Sequence, residues 1–97
     1  MTDKKYDKST IFEKRNDVVS RANNDENVTV LMKMDDSSSF YKIDGVAQHV
    51  WGLINEHKSV DEMLRILESK YDASAEKISE DVHKFLHKLL DLNIIEF

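Results

Sequence analysis

The sequence contains no cysteine, no proline and only two glycines. Without cysteine there is no disulfide, no thiolate metal ligand and no thiol nucleophile. Gly45 and Gly52 alone cannot build a glycine-rich phosphate loop, and no serine stands in a glycine elbow of the kind that exposes a hydrolase nucleophile. The absence of proline favours a helix-rich fold. No run of about 18 apolar residues occurs, so no membrane-spanning helix is expected. The opening Met1-Thr2-Asp3-Lys4-Lys5 has no apolar segment behind it, and no signal peptide is expected. Together with the missing cysteine, this points to a cytoplasmic chain.

What is present fits one small domain. The chain has 97 residues, 40% of them hydrophobic, which suffices for one core and not for two. The formal net charge is -5. Residues 1–16 carry five Lys/Arg against three Asp/Glu, giving +2, so residues 17–97 carry -7. An acidic folded part argues against unaided binding to a phosphate backbone.

Residues 1–16 are polar, with only Ile11 and Phe12 as an apolar anchor, and read as a flexible tail. Residues 17–97 read as the folded domain. Val18 and Val19 mark a short strand over 17–22, and the cluster 23–27 is a turn. Residues 28–34 alternate, with Val28, Val30, Met32 and Met34 on one side and Thr29, Leu31 and Lys33 on the other. Residues 35–38 form the next turn. Alternation then resumes over 39–43, placing Tyr41 and Ile43 on one face and Phe40 and Lys42 on the other. Three short strands with tight links predict an antiparallel meander.

Three helices follow. Asp44 is placed to cap the first, its carboxylate accepting free backbone N–H groups of the first turn. Ala47, Val50, Trp51 and Ile54 then form one apolar stripe. Ser59 and Glu62 have the spacing of a capping box, opening a helix that buries Val60, Met63, Leu64 and Leu67. Ser74 caps the last helix, whose Ile78, Val82, Phe85, Leu86 and Leu89 share a face, and Asn93 suits the left-handed position that ends it. The predicted architecture is α+β and winged-helix-like: a three-stranded antiparallel sheet followed by three helices.

The candidate chemistry is sparse. Lys77, Lys84 and Lys88 form a basic stripe beside Asp81 and Phe85 on the third helix, which is either an ordinary solvated face or a recognition rim. His83 and His87 stand four apart but lack the glutamate of a metalloprotease motif, and no third ligand is evident; they read as two exposed histidines. Trp51 reads as core packing rather than a stacking platform. Met32 and Met34 read as sheet-face filler. No catalytic set, metal site or cofactor site is expected.

Taken in order, Tyr41-x-Ile43-Asp44, Ala47, Val50-Trp51-x-Leu53-Ile54, Ser59-Val60-x-Glu62-x-Leu64, Tyr71-Asp72 and Asp81-Val82-x-x-Phe85-Leu86-x-x-Leu89 resemble the PqqD family, also called the RiPP precursor recognition element. The resemblance covers about residues 17–97. It departs at Asp44, where the family often has Asn, and at Ala47, where it often has Gly. The resemblance implies a non-catalytic chaperone that binds the leader of a ribosomally made precursor peptide and presents it to a modifying enzyme, often a radical SAM protein. It implies that the leader adds as a strand beside the third strand and against the third helix. The residues so implicated are Ser38, Ser39, Phe40, Tyr41, Lys42 and Ile43 on the strand, and Asp81, Lys84, Phe85 and Lys88 on the helix. On this reading the lysines attract acidic leader residues, while Asp81 either binds a leader group or positions the helix by pairing with a neighbour. An open edge strand also leaves room for pairing with a second copy. The competing reading is a winged-helix nucleic-acid-binding regulator; it shares the topology but calls for a strongly basic helix and wing.

Overall fold

A computed structural model of the chain describes residues 6–23, 25–34 and 36–97, and for 36–39 the backbone alone. The elements in chain order are β1 (Glu13–Lys14), β2 (Val18–Asn23), β3 (Val28–Lys33), β4 (Asp36–Ile43), α1 (Gly45–Asn55), α2 (Val60–Lys70), α3 (Ala75–Asp91) and β5 (Ile95–Glu96). The antiparallel sheet is present in the order β2-β3-β4, followed by the three helices. Asn24 and Asp35, which belong to the two expected turns, lie outside the described residues.

Register decides which side of the sheet meets the helices. Leu31 pairs with Tyr41 and Thr29 with Ile43. This row is the inner face: Leu31 is fully buried, and Thr29 and Ile43 nearly so. The more apolar series of β3, Val28, Val30 and Met32, therefore faces outward, because side chains alternate strictly along a strand. Val19, Met32 and Phe40 line up across the three strands on that outer face, and Val19 and Phe40 are exposed. The pairing of β3 with β4 slips between Met32 and Lys33, so the first half of β4 departs from regular register.

The helix ends follow their local chemistry. In α2 the capping box is complete: Glu62 N–H donates to Ser59 Oγ at 3.3 Å, and Ser59 N–H to Glu62 Oε1 at 2.9 Å. Those bonds hold the Glu62 carboxyl below its usual range, the Ser59 backbone donor contributing most. In α3, Ser74 Oγ accepts from Lys77 N–H at 3.1 Å. Asn93 closes α3 at φ 59°. Ile94 N–H reaches the Leu89 carbonyl and Asn93 N–H that of Leu90, the pattern of a Schellman cap. His57, at φ 60°, closes α1 in the same way, with Lys58 N–H on the Leu53 carbonyl and His57 N–H on that of Ile54.

Two expectations are corrected. Asp44 is the N-cap residue of α1 by position, but its side chain makes no capping bond. Gly45 sits at φ +57°, so the chain enters the helix through a left-handed residue and not through the extended-to-helix step that an Asp cap serves.

The second correction concerns the expected tail. Residues 1–5 lie outside the described residues, but from Tyr6 onward the segment packs on the helices. Phe12 is fully buried, with ring centroids 5.1 Å from Tyr6 and 5.4 Å from Phe97, both edge-on. The Thr10 carbonyl accepts from Val60 N–H and the Lys8 carbonyl from Asp61 N–H, satisfying free donors of the first turn of α2. β1 then pairs antiparallel with β5, a two-stranded sheet that no alternation in the sequence announced. A low apolar count misleads here because one buried aromatic and a few backbone bonds are enough to dock a short segment.

Trp51 is buried in the core beside Val50, Leu53 and Ile54, as expected of the α1 stripe. Ile78, Val82, Leu86 and Leu89 of α3 are buried with them, whereas Phe85 is only partly covered. No helix among the described residues is long and apolar enough to cross a membrane.

Candidate functional site

The sheet order leaves β4 at an edge, and α3 runs along the same side of the fold. In an edge strand every second residue turns its N–H and C=O away from the neighbouring strand, so β4 offers a row of unpaired backbone groups. Two adjoining cavities lie along α3, the first between it and the end of β4, the second between it and the start of α1. One, of about 200 Å³, is lined by Tyr41, Lys42, Ile43, Asp44, Ala47, Phe85, Lys88, Leu89 and Leu92. The other, of about 270 Å³, is lined by Asp44, Gly45, Val46, Ala47, Val50, Asp81 and Phe85. Asp44, Ala47 and Phe85 border both. Each cavity is smaller than the roughly 300–1,000 Å³ typical of small-molecule sites and suits a single side chain. A broader depression of about 580 Å³ lies between α2 and the start of α3; no residue of the sheet lines it, and its lining is largely charged.

The ten residues singled out from the sequence are not all brought together. Tyr41, Lys42, Ile43, Phe85 and Lys88 line the first cavity, and Asp81 and Phe85 the second. Ser38 and Ser39 belong to β4, but their side chains lie outside the described residues. Phe40 is 56% exposed on the outer face, in register with Met32. Lys84 is exposed and borders neither cavity. Lys77 reaches Asp81 at 3.2 Å, an exposed i,i+4 pair that fixes little. Sequence reasoning passed over Asp44, Ala47, Leu89 and Leu92 as groove residues. In the sequence Asp44 signals a cap and Ala47 and Leu89 signal core, while nothing marks Leu92; all four line the first cavity.

The opposite flank of α3 carries the two histidines. Tyr6 OH lies 2.6 Å from His83 Nδ1, and the two rings stack with centroids 5.6 Å apart; His87 is equally close to Tyr6. Burial, and secondarily the neighbouring His87, pushes the His83 pKa down. Tyr6 is itself shifted up by burial. Among the described residues no three His, Cys, Asp or Glu side chains gather as a metal site.

The family profile for coenzyme PQQ synthesis protein D (PqqD) matches residues 29–95. Among solved structures, the chain is similar to TbiB1 in complex with the TbiA(beta) leader peptide. The TM-score is 0.78 at 21% identity, covering 87% of this chain and 94% of that one. It is also similar to a lasso peptide synthetase B1 complexed with the leader peptide. There the TM-score is 0.80 at 12% identity, covering 91% of this chain and 100% of that one. At these identities the two structures establish the shared fold. No curated protein matches the sequence. The matched residues run from β3 into β5 and take in the edge strand, all three helices and both cavities: the chain belongs to the PqqD family.

Proposed function

We propose that the chain is a non-catalytic binder of a leader peptide, which it takes up as a strand added to β4 and packed against α3, and that it presents the attached precursor to a separate modifying enzyme. The observation that carries this reading is the groove itself: an edge strand with free backbone groups facing a partly covered aromatic, Phe85, with a side-chain-sized cavity on each side. The leader complexes of the two similar structures support it.

The energetics favour a peptide that offers both backbone and apolar side chains. Each backbone hydrogen bond contributes about 0.5–1.5 kcal/mol net, and micromolar affinity corresponds to about 8 kcal/mol. Four or five ladder bonds alone fall short once ordering of the peptide is charged against them. One or two apolar side chains buried beside Phe85, at about 1.5–3 kcal/mol each, close the gap.

The nucleic-acid reading is not favoured. Residues 17–97 carry -7, and on α3 the cation Lys77 is paired with Asp81. The test of the peptide reading is chemical-shift mapping on the isotope-labelled chain, titrated with the leader of a short precursor encoded near its gene. Shifts concentrated on β4 and on Asp81–Leu89 are expected. Shifts confined to α2 and the distal β2–β3 hairpin would place binding elsewhere and end the proposal.

A further inference from the structure

We propose that the outer face of the sheet is where the modifying enzyme docks, through an apolar surface edged with carboxylates, and that a bound leader completes this face with its own outward side chains. The inference rests on the peptide-binding reading above and adds the partner's surface to it.

The strand register assembles the face. Val19, Met32 and Phe40 stand side by side across β2, β3 and β4, and Arg21, Val30 and Lys42 form the next row. Val19 is 42% exposed and Phe40 56%, so apolar side chains on both edge strands lie open to solvent. Arg21 and Lys42 are exposed too, and among the described residues neither is held in an ion pair. Lys42 borders the first cavity from the edge strand, but alternation turns its side chain to this outer row, away from α3. No carboxylate stands in either row. Asp25 and Glu26 lie beyond Asn23 at the hairpin tip, with Glu26 accepting from Asn23 Nδ2 at 3.0 Å, and Asp44 follows the end of β4.

This chemistry selects the occupant. A chain of net charge -5 gathers two cations beside an apolar row, and a surface that complements them is apolar with acidic residues at its edge. Two cations are too few to hold a phosphate surface, which the remaining negative charge repels, so the face fits a protein and not a lipid or nucleic acid. A presenting chain needs one such surface besides its leader groove, and β4 belongs to both. Its free edge and inward Tyr41 and Ile43 serve the leader, while Phe40 and Lys42 point outward. In an added strand, residues opposite Tyr41 and Ile43 turn toward the cavities and those opposite Phe40 and Lys42 turn outward. The leader thus lengthens both rows by one strand. Three strands of about 4.8 Å spacing and about 3.4 Å per residue give a face of about 300 Å² over the six residues of β2 and β3. That is well under the roughly 800 Å² per partner of a stable complex, and a fourth strand adds about a third. The enzyme accordingly holds the loaded chain more tightly than the empty one.

The test uses the full chain, the purified modifying enzyme encoded beside its gene and the leader of the neighbouring precursor. Enzyme affinity is read by biolayer interferometry with and without saturating leader, and leader affinity by calorimetry. Leader is expected to tighten enzyme binding about tenfold, the size of one well-placed contact residue. The variant V19S/R21E, or R21E alone if the double variant melts early, should weaken enzyme binding about tenfold. Its leader affinity should stay within about twofold, because β2 lies at the far edge of the sheet from β4. Substituting an outward leader residue should weaken the enzyme step, and substituting an inward one should weaken leader binding itself. An enzyme that does not bind the loaded chain, ignores V19S/R21E or is not tightened by leader overturns this inference; shifts of β4 and α3 with leader then leave the peptide-binding reading standing. Wild-type chain that self-associates, or sediments with phosphatidylserine vesicles, through Val19 and Arg21 also overturns it, giving the face to a second copy or to lipid. A leader that shifts neither β4 nor α3 overturns both.

Discussion

Replacing Phe12 with alanine tests whether the N-terminal segment is part of the fold. Phe12 is fully buried between the edges of Tyr6 and Phe97, and its neighbours in the chain supply carbonyls to the start of α2. Removing a buried phenylalanine costs about 3–5 kcal/mol, transfer and cavity together, a range that already includes part of the aromatic pairing. A domain of this size has about 5–10 kcal/mol in total, so the variant loses a large fraction of its stability. At about 4–8 °C per kcal/mol the melting temperature falls by at least about 12 °C. Urea unfolding followed by Trp51 fluorescence, with the m-value checked for constancy, gives the free energy directly. Ile11→Ala is the internal control: Ile11 is 47% exposed and sits beside Phe12 in the same apolar pair, so it should cost under about 1 kcal/mol. If the two variants lose equally little, the segment rests on the body without stabilising it, and the tail reading was the better one.

The remaining predictions concern caps and titrations. Gly45→Ala should destabilise by about 1–2 kcal/mol, because the +57° φ is strained for alanine although open space surrounds the added Cβ. Gly52→Ala, also in open space but inside α1, should stabilise by about 0.5–1 kcal/mol; thermal melts of the two variants should move in opposite directions. Neutral His83 is favoured in the fold. The unfolded chain therefore takes up its proton first as pH falls, and stability is lost from the unfolded value near 6.5 down to the lowered native one. His83→Gln should flatten the slope of stability against pH across that window, read by urea midpoints at several pH values. The Glu62 carboxyl is held low by its bonds to Ser59, so its contribution is complete above the ordinary carboxylate range and is lost as pH falls through the native value. The stability gap between the wild type and Glu62→Gln should accordingly narrow in acid.

Much of this fold was legible because local chemistry and tertiary packing agree. Ser59 and Glu62 form their box, Ser74 caps α3, Asn93 takes the left-handed turn, and Val50, Trp51 and Ile54 of the α1 stripe are buried. What was not legible depended on long-range pairing. The inner face of β3 is set by Thr29 opposite Ile43 and Leu31 opposite Tyr41, not by the strand's more uniformly apolar series. The β1–β5 pair joins residues more than 80 apart in the chain, and two-residue strands carry no measurable period. Asp44 shows a further limit: a residue type suited to a cap does not cap when the next residue enters the helix with positive φ. At the site, the sequence singles out residues of β4 and α3, but only the packed arrangement separates Lys88, which borders the first cavity, from Lys84, which borders neither.

The docked N-terminal segment bears on the groove through α3. That helix presents three surfaces: Ile78, Val82, Leu86 and Leu89 to the core; His83 and His87 to Tyr6; and Asp81, Phe85 and Lys88 to the groove. Its end is pinned as well, since Arg15 N–H donates to the Ile94 carbonyl and Lys33 Nζ to that of Asn93. A helix held from behind and at its end keeps a set distance from β4 before any ligand arrives. On the peptide-binding proposal, an added strand finds its hydrogen-bonding edge and its side-chain cavities already spaced, and only the peptide has to be ordered. Because the ladder bonds and exposed ion pairs of such a groove are individually weak, that spacing is where the fold contributes most to binding.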